Sequence, residues 1–489
     1  LLAGPLVAVV AYVLLPDSYP DAQGALVELG GAGRATLSVM AWMAVWWLTE
    51  AIDLSATALL PLVLFPLLGI ADVRAAATPY ANPLIFLFLG GFVLARAMQR
   101  WGLDRRIALV TLRLVGAEPA RMVGGFMLGT AVLSMFVSNT ATAAMMLPIG
   151  LSVIGLVRPE SDDAGSANFP VCLMLGIAYA ASIGGTGTII GTPPNAFLVG
   201  FVRDSIDPAY RMEISFARWL AVGLPLVAVF LPLVWLLLTR VLFPVARVSI
   251  EGGGAFVRDE LRKLGPASRG EWTSGIVFLA TALVWILRPV LADLETAGGR
   301  HPLGGLTDAG VAMTAALVLF VLPVDWRRGR FAMDWPTARG LPWGILLLFG
   351  GGLSLASAVQ STGVAEFLGS RVGVLPHLPP LVLVLAVATL VIFLTELTSN
   401  TATTATLLPI LAALAPGLGT HPYVLIVPAA LAASCAFMMP VATPPNAIVF
   451  GSHLVTLPQM CRAGLWLNLV GIVLVTLLTF AVVGPVLRG

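Results

Sequence analysis

The residues that could do chemistry in this chain come in pairs. Ser138-Asn139-Thr140 opens the stretch SNTATAAMMLPI, and Ser399-Asn400-Thr401 opens SNTATTATLLPI. Nine of the twelve positions are identical, which points to duplication. A second pair, Thr192-Pro193-Pro194-Asn195-Ala196 and Thr443-Pro444-Pro445-Asn446-Ala447, follows in the same order. Ser, Thr and Asn oxygens and freed carbonyls are hard ligands that suit Na⁺. Ser134 stands four residues before Ser138 and Thr395 four before Ser399, one helical turn away. Each stretch thus offers a hydroxyl, a polar tip and an Asn amide around one small cation. The duplication predicts at least two such sites.

The same residue types suit an anion. Ser138 and Ser399 can N-cap the helices that follow them, as can Thr192 and Thr443. Pro193 and Pro444 suit a helix's first turn. Four helix N-termini converging on one cavity would aim N–H groups and positive dipole ends at a common point. No Lys or Arg lies within these four motif loops. Negative charge there must be met by dipoles, hydroxyls, amides and a mobile cation.

Composition says what surrounds these motifs. The chain has 489 residues, 58% of them hydrophobic and only 11% charged. Soluble domains average about 25% charged residues, so the bilayer is the expected solvent. A spanning helix takes about 20 apolar residues, which leaves room for about eleven spans. Non-helical backbone at membrane depth survives only where it is buried in protein or lines a wet cavity. The net charge of +2 argues against a nucleic-acid surface. Cys172, Cys435 and Cys461 lack pairing or metal spacing, and His301, His377, His421 and His453 are scattered. Neither G-x-S-x-G nor a Walker motif occurs, so no enzyme chemistry is indicated.

Hydrophobic runs predict an all-α polytopic membrane protein. Spans are expected near 1–16, 35–50, 54–70 and 83–101, with Leu1 to Leu15 a membrane helix rather than a cleaved leader. Two shorter segments, 122–138 and 141–157, meet at the first SNT. A broken span runs from 170 to about 203, then a long one over 216–242. A polar linker, 243–272, leads to the second half. There the spans are 273–291, 308–323 and 341–360, the paired segments 379–398 and 402–415, the broken span 422–451 and a last span 464–486. Gly90-Gly91 and Gly351-Gly352 extend the repeat at the same offset of 261 residues as the SNT motifs. Arg-rich stretches after span four, in the linker and around Arg327 to Arg339 fall on one side, which should be cytoplasmic. Five crossings between the SNT pairs then make the two repeats inverted, with re-entrant hairpins entering from opposite faces.

Plainer roles compete for each polar residue. Ser, Thr and Asn often serve as interhelical glue worth about 0.6 kcal/mol each. Two copies with attached Thr-Pro-Pro-Asn loops favour a transport site, the signature of a secondary carrier binding at its repeat interface. The glycine pairs are read as close helix packing. Glu396, beside the second SNT, could shape a cation site or carry a proton. Hydrogen bonding to nearby backbone, holding the hairpin, is preferred. Glu50 and Asp53 are assigned to a helix end, Arg96 to the cytoplasmic interface, and Trp46 and Trp47 to interface anchoring.

At these residues the chain resembles the divalent anion:sodium symporter family, carriers of C4-dicarboxylates, citrate or sulfate. The likeness rests on the twin SNT and Thr-Pro-Pro-Asn motifs, Trp46-Trp47-Leu48-Thr49-Glu50-Ala51-Ile52 and Thr395-Glu396-Leu397-Thr398-Ser399-Asn400, and spans nearly the whole chain. It departs at Asp53, where the family commonly has Pro. The resemblance implies a homodimer in which a transport domain moves past a scaffold as an elevator. It divides the chain into scaffold helices with interfacial segments (1–120), first hairpin and broken helix (121–215), scaffold with linker (216–378), second hairpin and broken helix (379–452) and a last helix (453–489). It also implies one Na⁺ site at Ser134, Ser138, Asn139 and Gly191, and another at Thr395, Thr398, Asn400 and Ala442. The dianion would touch Asn139, Thr140, Asn400, Thr401, Thr443 and Pro444, with Thr192 and Pro193 nearby. The function expected is Na⁺-coupled import of succinate, malate or fumarate across a bacterial inner (plasma) membrane. The alternatives are a dicarboxylate exchanger without sodium coupling and a sulfate or citrate carrier. A cation/proton antiporter using Glu396 is remote, because the SNT tips carry no carboxylate.

Overall fold

Apolar runs build the helices of this chain, and polar or proline punctuation ends them. The computed structural model describes residues 1–20, 25–116, 118–156, 164–245, 253–295, 300–372 and 378–488. Part of the linker expected over 243–272, Arg247 included, lies outside them, as does His377. The described residues are mostly helical, with very little strand. Their strands form two small antiparallel pairs, Ser18–Pro20 with Leu26–Glu28 and Pro323–Asp325 with Arg330–Phe331.

Among the described residues six helices are long and apolar enough to cross a bilayer. They are Val73–Trp101, Asn168–Gly185, Phe216–Leu242, Arg269–Ala292, Trp343–Ser361 and Leu457–Leu487. Shorter apolar helices join them, including Ala3–Leu14 and Asp308–Val321. Arg269–Ala292 turns Trp272, Ile276, Leu279 and Leu283 outward, as a lipid-facing helix must.

The two SNT motifs lie at helix–helix corners. The first joins Pro119–Ser134 to Asn139–Ile154, each of 16 residues. At 1.5 Å per residue each is about 24 Å long, short of the roughly 30 Å hydrocarbon core, which suits a re-entrant hairpin. The second joins Pro380–Thr395 to Asn400–Gly417. Each hairpin is followed by a broken helix. Ala164–Gly185 unwinds and resumes at Pro193–Gly200; Tyr423–Ala433 unwinds and resumes at Pro444–Phe450. Gly184 lets the first broken helix cross its hairpin, since a Cβ there would lie 2.3 Å from the Ala131 carbonyl oxygen.

Ion pairs gather three basic segments. Arg105 meets Glu260 at 2.8 Å and Arg106 meets Glu271 at 2.5 Å, tying the stretch after the fourth apolar run to the linker helix Gly253–Leu264 and the start of Arg269–Ala292. Arg100 meets Asp334 at 2.5 Å, adding the loop between Asp308–Val321 and Trp343–Ser361. Burial pushes the Asp334 carboxyl up, but hydrogen bonds from Thr337 and the charge of Arg100 outweigh it and hold the group below the usual carboxylate range.

Two surface helices, Leu103–Val115 and Val364–Val372, were not among the expected spans. The first is amphipathic and charged, so a hydropathy reading passes over it. One tryptophan is corrected. Trp47 is fully buried and its indole N–H donates to the Leu54 carbonyl at 3.1 Å, so it is core rather than an interface anchor. Asp53 caps the short helix Leu54–Thr57 through the Ser55 N–H, and Glu50 ends the helix before it in a left-handed conformation. The glycine pairs pack closely, as read: a Cβ on Gly90 would lie 2.6 Å from Ala312, and one on Gly351 2.2 Å from the Ala58 oxygen.

Candidate functional site

Ser134 ends the inbound helix of the first hairpin and Asn139 begins the outbound one, so the corner between them folds both side chains inward. The fully buried Ser134 Oγ lies 2.7 Å from Asn139 Oδ1 and 2.7 Å from the Ala181 carbonyl oxygen on the broken helix. The second half repeats this. Thr395 Oγ1 lies 2.7 Å from Asn400 Oδ1 and 3.1 Å from the Ala433 carbonyl oxygen. In each cluster a single hydroxyl proton faces two acceptor oxygens, so it satisfies only one well. Three hard oxygens with one proton among them fit a small cation such as Na⁺ better than they fit one another. Among the described residues no group of His, Cys, Asp and Glu could hold a metal otherwise.

The unwound segments wrap these clusters. A Cβ on Gly185 would fall 2.5 Å from Asn139 Oδ1, and one on Gly191 would fall 2.4 Å from the Gly185 oxygen and 2.9 Å from the Met135 oxygen. Thr188 donates its hydroxyl to that same Met135 oxygen. Asn195 gathers the loop from inside: its Nδ2 donates to the carbonyls of Gly185, Thr186 and Thr188 at 3.4, 3.1 and 2.8 Å. Asn446 does the same for Ala436 and Met439 at 3.3 and 3.0 Å. The Oδ1 atoms of both, and the hydroxyls of Ser182 and Ser434, are buried and lack hydrogen-bond partners among the described residues. The repeated Thr-Pro-Pro-Asn motif marks both Asn residues in the sequence, but nothing in their type or spacing points to this loop-gathering role. Replacing Asn195 by the isosteric Leu strands the Gly185 and Thr188 carbonyls, while Thr186 keeps the Trp219 indole, at about 1–3 kcal/mol for each buried group left unpaired. The expected result is a lowered thermal unfolding midpoint in detergent.

Two further helices close on the loops from outside. Trp219 donates its indole N–H to Thr186 at 3.2 Å, and a Cβ on Gly223 would lie 2.5 Å from that same oxygen. In the second half a Cβ on Gly464 would lie 2.3 Å from the Phe437 oxygen.

Glu396 is buried beside Thr395 and accepts hydrogen bonds throughout. Its Oε1 takes the N–H groups of Phe437 and Met438 at 2.7 and 2.9 Å, and its Oε2 those of Met438 and Met439 at 3.0 Å each. Asn468 Nδ2, from the last long helix, adds a donor at 2.8 Å. All these partners are donors, the set a carboxylate accepts. Glu396 therefore holds the second broken helix to its hairpin.

The remaining motif residues divide by burial. Ser138, Thr140 and Pro444 are exposed; Asn139, Pro193, Thr398, Asn400 and Thr401 are half-buried; Gly191, Thr192, Ala442 and Thr443 are buried. Ser138 accepts from the Ala141 N–H and Thr443 from the Asn446 N–H, each at 3.3 Å, as caps. Ser399 and Thr192 make no such side-chain bond, though their backbones are extended as caps require. Thr398 donates its hydroxyl to the Leu394 carbonyl at 2.9 Å and shares a hydrogen bond with the Thr403 hydroxyl at 2.7 Å. The halves also cross over: Asn139–Ile154 packs against Pro444–Phe450, and Asn400–Gly417 against Pro193–Gly200. Each hairpin's outbound helix thus meets the resumed helix of the other half, the arrangement needed for four N-termini to share a site.

Known proteins place this architecture. The sodium-dependent dicarboxylate transporter SdcS of Staphylococcus saprophyticus is 41% identical, over all of this chain and 91% of that protein. SdcS of Staphylococcus aureus USA300 is 40% identical over 94% of this chain and 88% of its own length. Among solved structures, the YdaH transporter of Alcanivorax borkumensis superposes with a TM-score of 0.59 at 14% identity, covering 99% of this chain and 96% of that one. Neisseria gonorrhoeae MtrF, from a class of antimetabolite efflux pumps, gives 0.58 at 14% identity, over 98% and 93%. Both share the fold. Residues 5–487 match the family described as the sodium:sulfate symporter transmembrane region, so the chain belongs to this family of membrane transporters, the divalent anion:sodium symporters.

Proposed function

We propose that this chain is a sodium-coupled symporter that imports C4-dicarboxylates such as succinate, malate and fumarate across a bacterial plasma membrane. The observation that carries the reading is the twin oxygen cluster, Ser134–Asn139–Ala181 and Thr395–Asn400–Ala433. Two neutral sites of this kind take two Na⁺, and no Lys or Arg stands in the motif loops to balance a dianion in their place. Gly191, Ala442 and Thr398 add carbonyl oxygens, and Ser138 its tip oxygen. Bound Na⁺ neutralises and orders the hairpin corners. The dianion then docks between them on Asn139, Thr140, Asn400 and Thr401, and on the resumed helices at Thr443 and Pro444, with Thr192 and Pro193 alongside. More than two Na⁺ per dianion makes import electrogenic, and each net charge crossing the membrane gains about 2.3 kcal/mol per 100 mV.

For the movement we infer an elevator in a homodimer. The moving unit contains both hairpins and both broken helices. Phe216–Leu236, counted with the scaffold from its place in the sequence, goes with this unit, as does Leu457–Leu478. Gly223 and Gly464 seat these helices directly on the unwound loops, and Trp219 and Asn468 bond them to the site.

The deciding experiment reconstitutes the protein in liposomes and follows labelled succinate under an inward Na⁺ gradient and an equal K⁺ gradient. Uptake is expected with Na⁺ alone. Equal uptake in both, dependent on internal dicarboxylate, would instead make the protein an exchanger. Silence in both, with labelled sulfate or citrate taken up, would move the substrate.

A further inference from the structure

The two oxygen clusters match atom for atom, but their surroundings differ by one charge. Glu396 follows Thr395 directly, buried, with its carboxylate engaged by the N–H groups of Phe437, Met438 and Met439 and by Asn468. The first-half counterpart, 261 residues earlier, is Met135. There the loop is held by a neutral bond, from the Thr188 hydroxyl to the Met135 carbonyl. Each half therefore anchors its unwound loop at the same place, one with a neutral link and the other with a fixed anion. Hydrogen bonding to the loop does not remove that charge. In a poorly screened interior a charge acts beyond its own hydrogen bonds, and Thr395 of the second cluster is the residue next to it in the chain.

We propose that Glu396 makes the two cation sites unequal, so that the second-half site is the tighter and fills first. Glu396 acts as a positioning and electrostatic residue and does not itself ligate the ion. The proposal rests on the reading of both clusters as Na⁺ sites. It gives the duplicated carrier an order of loading: the second hairpin corner and its loop are set by the first Na⁺, and the first corner responds to higher Na⁺. A buried unit charge on the residue next to Thr395 accounts for a separation of about tenfold or more.

The test is equilibrium binding of ²²Na⁺ to the full-length protein in nanodiscs, without dicarboxylate. Two classes of site are expected, about tenfold or more apart. Thr395→Ala should remove the tighter class and Ser134→Ala the weaker. Glu396→Gln, which keeps the shape and removes the charge, should weaken the tight class about tenfold and leave the weak one in place. Asn468→Ala, which removes one donor but keeps the charge, should shift the tight class less than Glu396→Gln does. Equal affinities in the unaltered protein, or loss of the tight class in Ser134→Ala, would overturn the proposal while leaving two sites standing. A tight class indifferent to Glu396→Gln, or equally sensitive to Asn468→Ala, overturns the role of the charge. If neither Thr395→Ala nor Ser134→Ala removes a class, the two-site reading itself fails. Should Glu396→Gln not fold, the order read from Ser134→Ala and Thr395→Ala still decides which site is tighter.

Discussion

Asn139→Ala and Asn400→Ala are each expected to lower Na⁺-dependent succinate uptake about 100-fold or more, while folded protein is recovered in normal amount. Each Asn sits at the start of an outbound helix and turns its Oδ1 to the hydroxyl one turn back, Ser134 in one half and Thr395 in the other. Truncation deletes one oxygen of the proposed cation site and strips the hydroxyl of a side-chain partner. It also removes an amide from the wall proposed to receive the dianion. A loss of about 2.7 kcal/mol in binding alone corresponds to a hundredfold. Both sodium and dianion lose contacts, so the effects compound. The fold should tolerate the change, because Ser134 and Thr395 keep the Ala181 and Ala433 carbonyls as acceptors. The diagnostic is the Na⁺ dependence of uptake by a variant shown to be folded by size-exclusion chromatography and thermal unfolding. Normal uptake by either variant removes that Asn from the site.

The positions of the hairpins and broken helices were legible because they depend on residue types that stand out in apolar sequence. Ser138-Asn139 and Ser399-Asn400 mark the corners: the outbound helices start at Asn139 and Asn400, while the inbound helices end at Ser134 and Thr395, short of the expected 138 and 398. The Thr-Pro-Pro-Asn motifs mark the resumed helices for the same reason, since Pro suits a first turn. Much of the site was not legible, and the causes are physical. The Ala181 and Ala433 oxygens are backbone atoms, which any residue supplies, so no side chain announces them. Asn195 and Asn446 look like caps or glue until the loop is seen folded over their amides. Glu396 finds Asn468 across 72 residues, a pairing that only the packing of the last long helix creates. Trp47 failed as an interface anchor because its neighbours, not its type, decide its burial.

The second large effect is expected at Gly191, and it separates the two halves. Gly191→Ala should abolish Na⁺-dependent uptake, whereas Ala442→Gly, 251 residues later in the repeat, should retain most of it. The first loop closes so tightly that a Cβ at 191 would meet two backbone oxygens, Gly185 at 2.4 Å and Met135 at 2.9 Å. Neither can swing aside as the end of a flexible side chain would. Gly185 is held by the Asn195 amide and faces the Asn139 side chain. Met135 is held by Thr188. The added methyl must therefore open the loop, and opening it draws the Gly185 backbone away from Asn139 and spreads the oxygen cluster. Close-packed interiors transmit such a displacement rather than absorb it. In the second half a methyl already stands at this place, on Ala442, in a loop whose Phe437, Met438 and Met439 N–H groups bond the Glu396 carboxylate. Removing that methyl takes away a small contact and adds backbone freedom, at about 1 kcal/mol or less. The measurement is uptake against Na⁺ concentration for both variants, beside the ²²Na⁺ isotherm of Gly191→Ala. That isotherm should lose the weaker class and keep the tighter one. A Gly191→Ala protein with normal uptake would mean that the first loop gives way without moving the cluster, and the first cation site would then have to lie away from Gly185 and Asn139.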